Sequence, residues 1–166
     1  MSLKDQVEIV PARPEHVADC VRISLTVYDH IHDVYREHLG KELHDQVMKE
    51  WRANKAAAIE RQQSGENAFV ALLDGKVVGF AAFQIEGELG RICNNAVDPE
   101  YRGNGIGGLL YQRLLDGMRE QGARYATVHT GGDDGHAPAR KAYEKIGFKK
   151  FLPSVNYYMD LWEKDE

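Results

Sequence analysis

The stretch Val97-Asp98-Pro99-Glu100-Tyr101-Arg102-Gly103-Asn104-Gly105-Ile106-Gly107-Gly108-Leu109-Leu110 decides how this chain folds. Asp98-Pro99 stops the strand that runs up to it, because proline has no backbone N–H to give a sheet. Gly103, Gly105, Gly107 and Gly108 follow within a few residues. Glycines at this density let the main chain approach a ligand closely and turn several N–H groups one way. Ile106, Leu109, Leu110, Leu114 and Met118 then recur at helical spacing, and Gly122 ends that helix with Arg119 near its negative end. Strand, glycine loop and helix N-terminus in this order make a cradle for a pyrophosphate.

Outward from the loop, the period of the apolar residues gives the other elements. Residues 7–10 read as a short strand. Pro14, with Glu15 behind it, opens a helix carrying Val17, Val21, Leu25 and Tyr28 on one face. After a less regular stretch, Leu43, Val47, Trp51 and Ala58 mark a second helical stripe that ends near Ser64-Gly65. Two β-rich runs, 68–73 and 76–83, flank Asp74-Gly75, a strong hairpin signal. A third strand runs over 89–97, with Asn94-Asn95 as poor strand formers inside it. Beyond the loop helix come a strand over 125–129, a helix over 137–146 with Gly147 as its terminator, and a strand from Phe148 onward. This order predicts an α/β protein with a mixed sheet. No repeat or linker-like run divides it, so residues 1–166 read as one domain.

Composition narrows the class. A chain of 166 residues and 18.7 kDa should expose roughly 8,300 Å² when compactly folded. With 43% hydrophobic and 28% charged residues it is not collagen-like, disordered or membrane-spanning. Its longest near-continuous apolar stretch, 77–83, is too short to cross a bilayer. Lys4, Asp5 and Glu8 leave no apolar signal region, and Ser2 offers no glycine to myristoylate. Cys20 and Cys93 form no CxxC pair, which fits a reducing, cytoplasmic setting. A net charge of −5 argues against nucleic acid and for a cationic partner.

Three phosphate motifs compete for the loop. Gly103, Gly105 and Gly108 fit G-x-G-x-x-G, but that fingerprint should leave its strand directly and find an acid at the end of the next one. Here Asp98 to Arg102 intervene and the next strand ends in His129-Thr130. The lysine-containing P-loop fails because Leu109 follows Gly108. R-x-x-G-x-G is matched by Arg102, Gly105 and Gly107.

With that match, the sequence resembles the GNAT superfamily of acyl-CoA-dependent N-acyltransferases. The quoted stretch follows the family's acetyl-CoA motif, and Ala139, Tyr143-Glu144-Lys145 and Gly147-Phe148 follow in the family's order and spacing. The resemblance implies a mixed, mostly antiparallel central sheet with a splayed parallel strand pair, flanked by about four helices. It implies acetyl-CoA as cosubstrate, no metal, and a primary amine as acceptor.

Residue by residue, the resemblance places a bulge at Asn94-Asn95, with Ala96 and Val97 offering main-chain groups to the pantetheine arm and the thioester carbonyl. Arg102, Gly103, Asn104, Gly105, Ile106 and Gly107 would hold the pyrophosphate. His136 stands where the family usually has a cofactor-contacting asparagine; by itself a histidine in a Gly/Asp loop reads as solvated. Lys145 would lie near the cofactor, or be an ordinary solvated helix lysine. Tyr143 holds the position of the family's general acid. A phenol with a pKa of roughly 10 stays protonated at neutral pH and can protonate a departing thiolate. Glu86 and Glu88 are candidates for the base, against a reading as solvated turn charges, and neither is assigned.

Acceptor specificity in this superfamily lies largely in the two early helices and the last hairpin. Tyr28, Asp29, His30, His32, Asp33, Tyr35, Glu37 and His38 make the early helices acidic and aromatic. Such a wall suits a small cationic amine or an amino acid over a protein N-terminus or lysine. The four histidines between 30 and 44 lack HExxH or i, i+4 spacing, so a metal site is not expected. The same fold could also serve as a non-catalytic acyl-CoA-binding regulatory domain, as a monomer or a homodimer. A dinucleotide-dependent redox enzyme is a more distant reading.

Overall fold

Five strands form one sheet in the computed structural model, which describes residues 2–162. They are β1 (Val7–Pro11), β2 (Ala68–Leu73), β3 (Lys76–Glu86), β4 (Leu89–Val97) and β5 (Tyr125–Val128), neighbours in that order. β1 to β4 pair antiparallel, and β4 pairs parallel with β5. The Asp74-Gly75 turn has φ of 50° and 77° at its two central residues, as a two-residue primed hairpin turn requires.

Among the described residues five α-helices cover the sheet: α1 (Val17–Leu39), α2 (Lys41–Val47), α3 (Trp51–Gln63), α4 (Ile106–Glu120) and α5 (Ala137–Lys145). The second helical stripe of the sequence is thus two helices, separated by the turn at 48–50. The stretch read as less regular is the second half of α1, which ends at Gly40, φ 76°. Ile23, Val27, Ile31 and Val34 recur there at helical spacing, a stripe offset from the Val17, Val21, Leu25 and Tyr28 face and joined in the core by His32. The fully covered face at its start is Cys20, Ile23 and Ser24, while Val17, Val21, Leu25 and Tyr28 are half-buried.

Each face of the sheet has its own core. Cys20, Ile23 and Ile59 of α1 and α3 pack on Val70, Val77 and Phe80. On the other face Leu110, Leu114 and Met118 of α4, with Tyr143 of α5, pack on Phe83 and Ile92. A Cβ at Gly90 would meet the Met118 sulfur at 2.5 Å, so a bare backbone there brings α4 down onto β4.

A polar chain ties α2 to α1. The Asp45 carboxylate can only accept, so His44 Nδ1–H donates to it (2.9 Å) and His44 Nε2 accepts from His32 Nδ1–H (2.8 Å). The His32 ring stacks on Trp51 at 3.9 Å. Burial, then the neighbouring His44 and the cations Arg36 and Lys55, push His32 down to about 4. An unfolded histidine titrates near 6.5, so between these values the unfolded chain binds a proton that the native chain refuses. Stability from this group is therefore complete above pH ~6.5 and falls as pH drops towards ~4, by about 3 kcal/mol at most. Urea denaturation of wild type and His32→Phe at pH 7 and pH 4.5 should show a smaller acid loss in the variant. Equal losses would exclude His32 as its source.

The predicted strand from Phe148 onward does not form. Residues 149–162 contain no helix or strand, and every one of them is exposed. The chain exposes 11,006 Å² in all. That exceeds the compact expectation by about 2,700 Å². A strand needs a neighbour to satisfy its N–H and C=O groups, and this segment has none among the described residues.

Candidate active site

The parallel pair opens at its C-terminal end. β4 and β5 stay in register from Leu89↔Tyr125 to Ile92↔Val128, and residues 93–97 then keep β3 as their only strand neighbour among the described residues. The ladder slips beside this opening: Phe83 pairs with Ile92 and Ala81 with Asn95, so Cys93 and Asn94 together oppose Ala82. The bulge expected at Asn94-Asn95 thus lies one residue earlier. It bends β4 at the mouth of the gap and sends the next two side chains to different partners.

Asn95 organises two tyrosines. Tyr111 of α4 donates its hydroxyl proton to Asn95 Oδ1 at 2.7 Å. Asn95 Nδ2 donates to the Cys93 carbonyl and to the Tyr143 hydroxyl oxygen, each at 3.0 Å. The Tyr143 oxygen thus receives a hydrogen bond, and its own proton makes only a longer contact of 3.3 Å to Asn95 Oδ1, which Tyr111 already engages. Burial raises the Tyr143 pKa, opposed by its hydrogen bonds with Asn95 and Tyr111. The phenol is therefore held protonated at neutral pH. Neither Asn95 nor Tyr111 was legible as a support for Tyr143. Asn95's only signal was its poor fit to a strand.

The glycine loop sits at the end of β4 and is open to solvent. Buried Asp98 caps the turn with a bond from the Glu100 N–H and holds Arg22 of α1 at 3.2 Å, which fixes the loop's root. Asn104 Nδ2 bonds the carbonyls of Tyr101 and Arg102, so that side chain braces the loop. Gly103 and Gly105 both have φ of 79°, where a side chain is strained. Gly107 has no such φ, and a Cβ there would make only ordinary contacts of 3.7 Å or more. The chain's own packing does not demand glycine at 107; close approach by a ligand would. The first-turn N–H groups of α4 lack helical acceptors and form an anion site. Lys4 lies against Gly105 and brings a cation that the sequence did not mark. Across the gap, Thr130 has a buried hydroxyl with no hydrogen-bond partner among the described residues. A free hydroxyl, open strand edge and free N–H groups fit a phosphate-bearing, amide-containing arm.

The other wall comes from α1, α3 and the turn before α5. His136 bonds Asp133 through Nδ1 at 2.8 Å, and its ring faces Tyr28 and Tyr35, with centroids 6.3 and 6.2 Å away. It is turned towards α1. Lys145 is exposed. Lys55 Nζ lies 3.6 Å over the Tyr28 ring and donates to Asn94 Oδ1 at 2.9 Å. It has no ion-pair partner among the described residues, and burial brings it down to about 8. Glu86 ends β3 in an ion pair with Arg91, and Glu88 sits in the next turn, both at the closed end of the β4–β5 pair. Neither reaches the gap.

An α/β sheet split beside a glycine cradle defines the fold of N-acetyltransferases, and solved members superpose on this chain. The PaiA N-acetyltransferase of Thermoplasma acidophilum in complex with coenzyme A matches with a TM-score of 0.66 at 18% identity, over 86% of this chain and 89% of that one. An aminoglycoside acetyltransferase from an uncultured soil metagenomic sample, in complex with sisomicin, matches at 0.61 and 17% identity, over 96% and 99%. The model of the acetyltransferase (GNAT) family matches residues 25–148, and the chain belongs to that family. The ribosomal protein bS18-alanine N-acetyltransferase of Escherichia coli is 33% identical over 85 residues, 51% of this chain and 56% of that one. The chain thus spans about half the length of that curated relative. No helix among the described residues is long and apolar enough to cross a membrane.

Proposed function

We propose that this protein transfers an acetyl group from acetyl-CoA to a primary amine by direct attack on the thioester. The observation that carries this reading is the buried Tyr143 hydroxyl, whose oxygen is held by Asn95 beside the opened strands. In this reading the pantetheine arm pairs with the open edge at Ala96 and Val97, and the pyrophosphate rests on the loop from Arg102 to Gly107. Of the expected side chains, Asn104 shapes the loop and contributes its main chain, while His136 faces the acceptor.

The neutral amine attacks the carbonyl carbon, forming the C–N bond while a main-chain N–H of β4 steadies the oxyanion. The C–S bond then breaks. Tyr143 gives its proton to the departing sulfur, and the proton lost by nitrogen returns through water to the phenolate. No carboxylate is assigned as base.

Between a small cationic amine and an amino acid, Lys55 favours the second. An unpaired ammonium in the acceptor wall repels a purely cationic substrate and attracts one that also carries a carboxylate. The test is thiol release from acetyl-CoA against aminoglycosides, polyamines, free amino acids and peptides with free N-termini. Release with a carboxylate-bearing amine, at least tenfold faster than with a polyamine, is the expected result. Tight acetyl-CoA binding with no release on any amine would instead support the non-catalytic, acyl-CoA-binding alternative.

A further inference from the structure

We propose that His136, held by Asp133, is the general base that takes a proton from the ammonium group of the acceptor. The inference rests on the acetyl-transfer reading and supplies the step before attack, since an ammonium has no lone pair to attack with.

The turn before α5 is built around this pair. His136 Nδ1 lies 2.8 Å from Asp133 Oδ2, and the other carboxylate oxygen accepts from the His136 backbone N–H at 3.2 Å. A Cβ on Gly131 would run into both the Asp133 carboxylate and the His136 ring, and one on Gly135 would stand 2.9 Å from Asp133 Oδ1. The two glycines thus leave the carboxylate its room. Arg140 Nη1 clamps the turn, donating to the carbonyls of Gly131 at 2.7 Å and Asp133 at 2.6 Å. With side-chain exposures of 11% and 17%, His136 and Asp133 are shielded without being sealed.

That geometry fixes which nitrogen is basic. Burial raises the Asp133 carboxyl, but the hydrogen bond and charge of His136 outweigh it and hold the group below its usual value. Asp133 is therefore ionised at neutral pH and only accepts, so Nδ1 carries the ring proton and Nε2 the lone pair. Nε2 has no hydrogen-bond partner among the described residues.

The ring stands in the acceptor wall. It faces Tyr28 and Tyr35 of α1, and burial, then the Asp133 carboxylate, raises both phenols, Tyr35 to about 12. His136 therefore looks onto neutral rings. Tyr28 also adds to the rise that burial gives Tyr143, so its hydroxyl is near that of the acid. His136 caps α5 and Tyr143 follows at i+7, so the two share one face of the helix, roughly 10 Å apart along its axis. An attacking nitrogen and a departing sulfur fit between them, base at one end and acid at the other.

The protons balance. His136 Nε2 takes one proton from the ammonium, and Asp133 stabilises the imidazolium. The neutral amine forms the C–N bond, the C–S bond breaks, and sulfur takes the Tyr143 proton. The second nitrogen proton reaches the phenolate through water, and His136 releases the first to solvent. One ammonium and one thioester give one amide, one thiol and one free proton.

The probes are the free amino acids of the amine panel, charged at nitrogen at pH 7, and aminoacetonitrile, which is neutral there and needs no base. His136→Asn installs the asparagine that the family uses for cofactor contact, so acetyl-CoA affinity should hold. Turnover of the amino acid should fall by roughly 10²–10⁴-fold, and the loss with aminoacetonitrile should be at least tenfold smaller. Asp133→Asn keeps the shape, but its amide donates to Nδ1 and moves the ring proton to Nε2. It should lose turnover as His136→Asn does, and nitrogen NMR of the neutral imidazole should show the tautomer reversed from wild type. A wild-type ring protonated at Nε2 overturns the proposal without any turnover measured. Near-normal turnover in His136→Asn, or an equal loss on both kinds of probe, overturns the base and leaves acetyl transfer standing. No thiol release by the wild type with any of these amines overturns both.

Discussion

Tyr143→Phe is expected to lower turnover by roughly 10²–10⁴-fold, the span for a lost general acid, with little change in acetyl-CoA affinity. The substitution removes one hydroxyl and almost no volume from a side chain that is 6% exposed. One Asn95 amide hydrogen loses its acceptor, a cost of about 1–3 kcal/mol, and the rings of Tyr111 and Phe148 keep their packing partner. The fold should therefore survive. Donors with more acidic thiols should show a smaller loss, because a better leaving group needs less protonation. A residue that only positioned the arm would weaken binding and ignore thiol acidity. Near-normal turnover in the Phe variant would remove Tyr143 from the chemistry.

Gly107→Glu is expected to weaken acetyl-CoA binding by about 10²–10³-fold, from a like-charge contact of roughly 4 kcal/mol near the protein surface. The carboxylate would stand at the N-terminus of α4, where the pyrophosphate is proposed to rest. Gly107 is a cleaner site for this test than Gly105, whose φ of 79° adds backbone strain to any side chain. At 107 the first atom of the side chain meets only ordinary contacts. An acid in the first turn of a helix adds about 0.3–1 kcal/mol to stability, so the ligand-free melting temperature should hold or rise while affinity falls. That opposition separates a blocked cradle from a damaged fold. Gly107→Ala should lose much less. Unchanged affinity in the Glu variant, measured by calorimetry, would remove the cradle from the proposal.

Where local chemistry is decisive, sequence and structure agree closely. Asp74-Gly75 makes a primed turn because few other pairs accept two positive φ values, and β4 ends at Val97 because Asp98-Pro99 cannot continue it. Gly103 and Gly105 adopt left-handed conformations, which only the structure shows and which glycine takes without strain. The early helices were less legible. α1 buries Cys20, Ile23, Ser24, Ile31 and His32, and because Val17, Val21, Leu25 and Tyr28 form a competing stripe beside these, its core face was displaced from the expected one.

The site divides along the same line. The sequence by itself determined the glycine loop, the helix that follows it, and Tyr143 in its family position, because each depends on residues close together in the chain. Only the tertiary structure decided that Asn95 holds Tyr143, that Lys55 lies on Tyr28 without an ion pair, and that His136 turns to α1. Those contacts join residues 27 to 108 positions apart, and no local spacing encodes them. The C-terminal segment is the sharpest case. The residues from Phe148 onward read as a strand, but a strand exists only where another backbone shares its hydrogen bonds, and residues 149–162 meet no such neighbour among the described residues.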